Sequence, residues 1–256
     1  MTITPRHDDL PLDRGTFEAR LRRIGAERYH DRHPFHARLH GGLCTMDEVQ
    51  AWVINRWHYQ SSIPMKDAAF LSRCRDPDLR RIWRSRIEDH DGGVEAGGGI
   101  RRWLRLAEGV GLDPAYVASG RGVMPATRFA VDAYVRFVRD EPLIAAMASS
   151  LTEMFAPAIH AERIEGLLSH YAFADRETIA YFSHRLTEAP KDVRFTLDWV
   201  LTHATSRAEQ EAAIAALSFK TDVLWAQLDA LWNGYVEGRI PPGAWRPGEG
   251  RREMHR

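Results

Sequence analysis

The sequence is short of cysteine, of net charge, of long apolar runs and of strand signals, and each shortage removes a class of protein. Its 256 residues hold two cysteines, Cys44 and Cys74, with no paired spacing. That argues against a disulfide framework or a cysteine-based zinc site, and both thiols are expected to stay reduced in a cytoplasmic protein. Lys plus Arg and Asp plus Glu both total 35, so the formal net charge is zero. Nucleic acid or an anionic membrane as main partner would demand a basic excess, so neither is expected. No run approaches the ~20 apolar residues of a membrane span, and MTITPRHDDL lacks a basic-then-apolar start. No segment alternates convincingly with period two and no internal repeat is visible.

What the chain does have is helical periodicity over an apolar content of 44%, ample for a core. Helices are expected over Phe17–His30, from Asp47 to about Arg75 with an interruption at Pro64, and from Pro77 through PDLRRIWRSRIEDHD. Others are expected over Ile100–Val110, from Pro125, from Pro142, over Asp175–Glu188, from Lys191 to about Thr205, and over Ser206–Arg239. Thr45 with Glu48, and Ser206 with Glu209, read as capping boxes. The expectation is an all-α fold, one domain over 16–239, built from about seven or more helices. Residues 1–15 read as a mobile lead-in. The tail IPPGAWRPGEGRREMHR (240–256) has the proline, glycine and charge content of a linker, and reads as either a plain flexible terminus, the commoner case, or the start of a connection to something else.

The segment Leu143–Tyr171 organises the rest, as one long helix expected to bend at Pro157. One face carries Ala146, Ser149, Ser150, Glu153, Ala156, His160 and Arg163; the other carries Ile144, Met147, Leu151, Met154, Phe155 and Ile159. Small residues beside an acid, an imidazole and a guanidinium point to a buried polar pocket. Other helices break their own apolar stripes in the same way. Arg56 and Gln60 follow Val49, Trp52 and Val53; Arg86 and His90 follow Leu79, Ile82 and Trp83. Tyr181 pairs with Arg185, and Lys220 interrupts Ala213, Leu217, Leu224 and Leu228. One such break is ordinarily a snorkelling stem or a buried ion pair. When several helices do it together, the groups must meet one another or a ligand, because unpaired buried charge is costly. Arg56, Arg86, Arg163, Arg185 and Lys220 face one acid, Glu153, so the pocket suits a small, planar, multiply carboxylated anion. His90 and His160 can exchange protons near neutral pH, and Tyr59, Tyr134 and Tyr181 can donate hydroxyls.

Other chemistries fit less well. A carboxylate-bridged di-iron bundle needs two Glu-x-x-His motifs, and only Glu27–His30 is present. The run His30, His33, His36, His40 crosses a helix break at Pro34 and lacks acid ligands. Haem would want an axial histidine in an apolar slot. Neither cysteine has a visible partner for nucleophilic catalysis. GGVEAGGG (92–99) follows no strand, so it suits a hinge or lid rather than a phosphate loop.

With these residues in view, the chain resembles the pyrroloquinoline quinone synthase family. The resemblance runs from about Asp13 to Arg239. It rests on RYHDRHPFHARLHGG, VQAWVINRWHYQSSIPMKDAAFLSRC, RIEDHDG, SLTEMFAP, IHAERI, YFSHRL and LSFKTDVLW in order. It implies a haem-oxygenase-like helical bundle, a homodimer, and neither metal nor organic cofactor. It implies final ring closure and O2-dependent oxidation of a bicyclic amino-quinone tricarboxylic precursor, with H2O2 released and a carrier or chaperone as a candidate partner for product release. His90 corresponds to the family's acid/base histidine. His160, Tyr181 and Arg185 correspond to the group around oxygen, with Lys220 as charge partner or proton donor. Arg56, Tyr59, Gln60, Arg86, Thr152, Glu153 and Arg163 match substrate-clamping positions, joined by His30 and Tyr134. The alternatives are a thiaminase-like hydrolase with Cys44 or Cys74 as nucleophile, and a carrier that only binds the quinone.

Overall fold

Helix starts in this chain are written in its capping residues, and most of them form as read. The computed structural model describes residues 10–93 and 97–251, the side chains of 188–192 excepted. The Thr45 and Ser206 hydroxyls each accept from the backbone of Glu48 and Glu209, whose carboxylates reach back to the cap, so both capping boxes are complete. Asp13, Asp76 and Asp113 cap three further helices through their carboxylates.

In chain order the α-helices are α1 (Arg14–Arg28), α2 (Pro34–His40), α3 (Met46–Arg73), α4 (Pro77–Asp91), α5 (Gly99–Gly109) and α6 (Pro114–Ala118). They continue as α7 (Pro125–Asp140), α8 (Leu143–Ala148), α9 (Ala156–His170), α10 (Ala180–His203) and α11 (Arg207–Leu231). Short 3-10 turns cover His30–Arg32 and Ser149–Phe155, and a π-helical turn, Trp232–Val236, ends α11. Among the described residues there is no strand, only isolated bridges. The all-α expectation holds. The short α2 and α6 were not anticipated, since each has too few residues to show a period.

Three prolines behave differently from expectation. α3 runs unbroken through Pro64, and α10 runs unbroken through position 190, joining what read as two helices. A proline inside a helix removes one backbone bond, and α3 and α10 pack along their length against α7 and α4, and against α9, which holds them together across the gap. Leu143–Tyr171, conversely, is not one bent helix. Its interruption is the 3-10 segment Ser149–Phe155, and Pro157 lies in the first turn of α9, where its fixed φ is already helical.

The core divides into two main groups. Trp52, Trp103, Phe182 and Trp245 centre one, and Phe17, Phe70, Trp83 and Leu217 the other. Trp52, Trp103 and Phe182 meet edge-to-face and stacked at 5.4–6.1 Å, and Trp103 meets Tyr181 edge-on at 5.2 Å, which fixes that phenol. Leu143–His170 is the one stretch among the described residues with the length and hydropathy of a membrane span. It is broken by the 3-10 turn, and 56% of its most apolar window is buried within the chain.

The linker reading of 240–251 does not hold. Trp245 is fully buried, its indole donates to the Glu249 carbonyl at 2.7 Å, and its backbone bonds Gly122 at 2.8 Å. A single large aromatic outweighs the surrounding proline and glycine composition. At the other end, Leu12 exchanges two hydrogen bonds with the Gln210 side chain at 2.7 and 3.0 Å. The rest of the lead-in (1–9), the centre of the glycine segment (94–96) and the last residues (252–256) lie outside the described residues.

Candidate active site

The polar breaks in the apolar stripes converge on one chamber. Its walls are Tyr29 and His30 after α1, Arg56, Tyr59 and Ile63 of α3, and His90 of α4. Thr152 and Glu153 come from the 3-10 segment, Ala156, Ile159, His160 and Arg163 from α9, Tyr181 and Arg185 from α10, and Leu224 from α11. The space between them is about 520 Å³, open solvent at its mouth included. Most residues singled out in the sequence line it directly.

Four do not, and stand one layer behind. Lys220 is 1% exposed and donates to the Tyr59 hydroxyl at 2.8 Å, with its ammonium 3.6 Å from the centre of the Tyr134 ring. It therefore reaches the chamber through Tyr59. Gln60 accepts from the Tyr181 hydroxyl at 2.7 Å. Arg86 grips Glu153 at 2.5 Å. Ser149 and Ser150 are buried but do not reach the chamber, whereas Ile159, assigned to the core face, lines it.

Sequence reasoning missed several groups. Asp67, fully buried, binds Lys66 at 2.5 Å, accepts from the Trp83 indole at 2.8 Å and lies 3.7 Å from Arg86. Asp89 accepts from Arg185 at 2.9 Å and pairs with His184. Glu153 is thus not the sole acid, which corrects the sequence expectation. The stripe Arg56, Gln60, Ile63 leads by one more helical step to Asp67; the expected interruption at Pro64 ended the register too early. Tyr29 beside His30 was also passed over.

The charges fall into two sets. Arg86 and Arg185 are held by Glu153, with Asp67 and Asp89 adding to each. Burial pushes the Glu153 carboxyl up, but Arg86 and Arg185 outweigh it and hold it at about 2. Burial works against the Arg185 cation, yet Glu153 raises it further above its ordinary value. Arg56, Arg163 and Lys220 form the second set: among the described residues none has a carboxylate within salt-bridge distance. Burial, then Arg56, lowers Arg163 to about 9 and draws Lys220 well below the usual lysine value.

Burial works against the charged form of the chamber histidines. Burial, then Arg185, lowers His90 to about 4; burial, then neighbouring arginines, brings His30 and His160 well below the ordinary histidine value. The His90 Nδ1 donates to the Arg86 carbonyl at 3.1 Å. That fixes the tautomer and leaves Nε2 as a buried lone pair without a partner among the described residues. Among the described residues His30 Nδ1 and His160 Nδ1 are likewise buried and unpartnered. Such atoms are costly unless a ligand completes them. Among the described residues no group of three or more histidines, cysteines or acids is gathered as a metal-binding set. The histidines of the α1–α2 connection go to separate partners, His33 to Asp229 at 3.1 Å and His36 to the His30 carbonyl at 3.0 Å. Neither cysteine lines the chamber; Cys44 is raised by burial to about 12.

A helical bundle of this shape is one that known proteins share. The chain belongs to the TENA/THI-4/PQQC family, whose profile matches residues 18–230. It is 70% identical to a protein of Ruegeria pomeroyi over 93% of this chain and 99% of that one, and 72% identical to one of Rhizobium meliloti over 93% of both. Both relatives are named pyrroloquinoline-quinone synthase. Among solved structures, a Shewanella denitrificans domain described as having a heme oxygenase-like fold superposes with a TM-score of 0.71 at 11% identity, over 91% of this chain and 96% of that one. A TenA homologue from P. horikoshii does so at 0.65 and 14%, over 85% and 99%. At those identities the likeness is one of fold.

Proposed function

We propose that this chain is an enzyme of pyrroloquinoline quinone biosynthesis, an oxidase that closes the last ring of a bicyclic amino-quinone tricarboxylic precursor and oxidises it with O2, releasing H2O2. The observation that carries the reading is the set Arg56, half-buried, with buried Arg163 and Lys220, none of which has a carboxylate within salt-bridge distance among the described residues, around a chamber whose histidines burial disfavours from charging. A multiply carboxylated planar anion supplies the charges they lack, and arginine binds a carboxylate in two parallel hydrogen bonds. The names of relatives at 70 and 72% identity support the same substrate.

In this reading His90 Nε2 takes a proton from a ring carbon, since its lone pair is free and its Nδ1–H is anchored. A base near 4 is weak, and the carboxylates of bound substrate raise it toward working pH. Two-electron oxidation of the resulting quinol anion passes its electrons to O2, which takes up two protons and leaves as H2O2. His160, Tyr181 and Arg185 surround the oxygen and donate to its developing negative charge. Lys220, through Tyr59, returns a proton to the chamber. Thr152, Glu153, His30 and Arg163 hold the substrate, with Gln60, Arg86 and Tyr134 buttressing them from behind.

We further assign the chemistry to the protein alone, without metal or organic cofactor, in a cytoplasmic homodimer that hands its product to a carrier. The separate commitments of His33 and His36 support the absence of a metal. Oxygen uptake by metal-stripped protein given the bicyclic precursor tests the reading, with one equivalent of peroxide per two-electron step expected. Activity lost on chelation and restored by iron would overturn it. Tight quinone binding with no oxygen uptake would make the chain a carrier.

A further inference from the structure

We infer that His36 is a positioning residue for Arg163: α2 is packed onto α9 so that a neutral imidazole orients the guanidinium without neutralising it. This rests on the reading above, in which Arg163 grips a substrate carboxylate.

His36 is 2% exposed and does not line the chamber. Its Nδ1 donates to the His30 carbonyl at 3.0 Å, so its Nε2 carries the lone pair, and Arg163 Nη2 donates to that lone pair at 3.3 Å. The ring itself cannot turn easily. His40 stacks on it at 5.4 Å with planes 9° apart, and His30 meets its edge at 4.9 Å. The rest of the guanidinium lies near Trp52 and Phe182, 5.5 and 5.2 Å from the ring centres. Those aromatic faces set its depth but accept no directed hydrogen bond. Among the described residues, Nε2 of His36 is the one hydrogen-bond acceptor Arg163 has.

The choice of acceptor has a physical reason. A carboxylate at position 36 would form a closed ion pair with Arg163 and compete with the substrate's own carboxylate. A neutral imidazole fixes direction and leaves the full positive charge for the ligand. Burial, then Arg163 itself, keeps His36 well below the ordinary histidine value, so it stays an acceptor.

The placement depends on Gly166, one helical turn after Arg163 on α9. A Cβ there would lie 2.3 Å from the His40 carbonyl oxygen and 2.8 Å from its Cα. Only glycine lets α2 approach this closely, and that approach brings His36, one turn before His40, onto Arg163.

The test titrates pyrroloquinoline quinone itself into the full chain, following its visible absorption, and compares KM with kcat. His36→Leu is expected to weaken quinone binding and raise KM roughly ten-fold or more, the usual effect of losing a hydrogen bond to a charged group, with kcat changed far less. His36→Gln, which restores an acceptor, should recover most of the affinity. Gly166→Ala should reproduce the His36→Leu pattern with every chamber residue intact. Circular dichroism and the melting temperature identify any variant that fails to fold, and His36→Gln then carries the comparison. If Arg163→Met weakens binding but folded His36→Leu and Gly166→Ala bind as the parent, the inference falls and the reading of Arg163 stands. If Arg163→Met itself leaves affinity unchanged, the reading of the site falls instead.

Discussion

Glu153→Gln isolates the anion that holds two of the buried arginines. Glu153 accepts from Arg86 at 2.5 Å and from Arg185 at 3.3 Å. Its pKa of about 2 against an ordinary 4.5 corresponds to about 3 kcal/mol of preference for the ionised form in the folded chain. The side chain is 23% exposed, which trims the expected loss to about 2–3 kcal/mol, near the lower end for breaking a buried pair. For a chain of this size that is a melting temperature lower by roughly 4–12 °C. The sign with pH follows from the direction of the shift. A depressed carboxylate stabilises the fold above its unfolded pKa and loses that contribution only as pH falls from about 4.5 toward 2, so the gap between parent and variant should be constant from pH 8 to 5. The substitution also leaves the chamber more positive, so pyrroloquinoline quinone should recover more melting temperature in Glu153→Gln than in the parent. Scanning calorimetry with and without the quinone measures both. A shift under about 2 °C, or equal recovery in the two proteins, would refute the reasoning that Glu153 carries the charge balance.

Three further outcomes are expected. Trp245→Ala should cost about 3–5 kcal/mol and lower the melting temperature by roughly 6–20 °C, because a fully buried indole leaves a cavity; a melting temperature within 2 °C of the parent would restore the linker reading of the tail. Acidification should destabilise the fold as pH falls from about 6.5 toward 4, by up to about 1.4 kcal/mol per pH unit for each histidine held neutral. His90, at about 4, takes up its proton in the unfolded chain first, so His90→Asn should flatten that slope in a pH series of melts. His90→Asn should also lower turnover by roughly 100-fold or more while quinone affinity stays within a few-fold; equal losses in both would assign His90 to binding rather than to proton transfer.

What could be read from the sequence, and what could not, divides along physical lines. Capping is a local exchange of hydrogen bonds, so Thr45 with Glu48 and Ser206 with Glu209 announced α3 and α11 correctly. Arg56, His90 and Arg185 were visible as breaks in apolar stripes, Tyr181 as the partner of Arg185, and His160 and Arg163 on the small-residue face of Leu143–Tyr171; all six line the chamber. The proline-based boundaries failed because a missing backbone donor is a small local loss, while packing along α3 and α10 is a tertiary gain that no local pattern reports. Through that error Lys66 and Asp67, one turn past Pro64, went unread. The depth of Lys220 behind Tyr59, and the burial of Trp245 in a stretch composed like a linker, depend on which segments meet in space. His36 shows the same limit: its sequence neighbours make it one of a row of histidines, and only the close passage of α2 over Gly166 makes it the partner of Arg163.

The most direct test of the central claim is the visible absorption of metal-free protein mixed with the bicyclic precursor, followed in air and under strict anaerobiosis. The account predicts a quinone band that grows with peroxide release in air, and bound but unconverted precursor without oxygen. The same spectral change in both conditions, with no peroxide, would contradict it and leave a chamber that binds the anion but does not oxidise it.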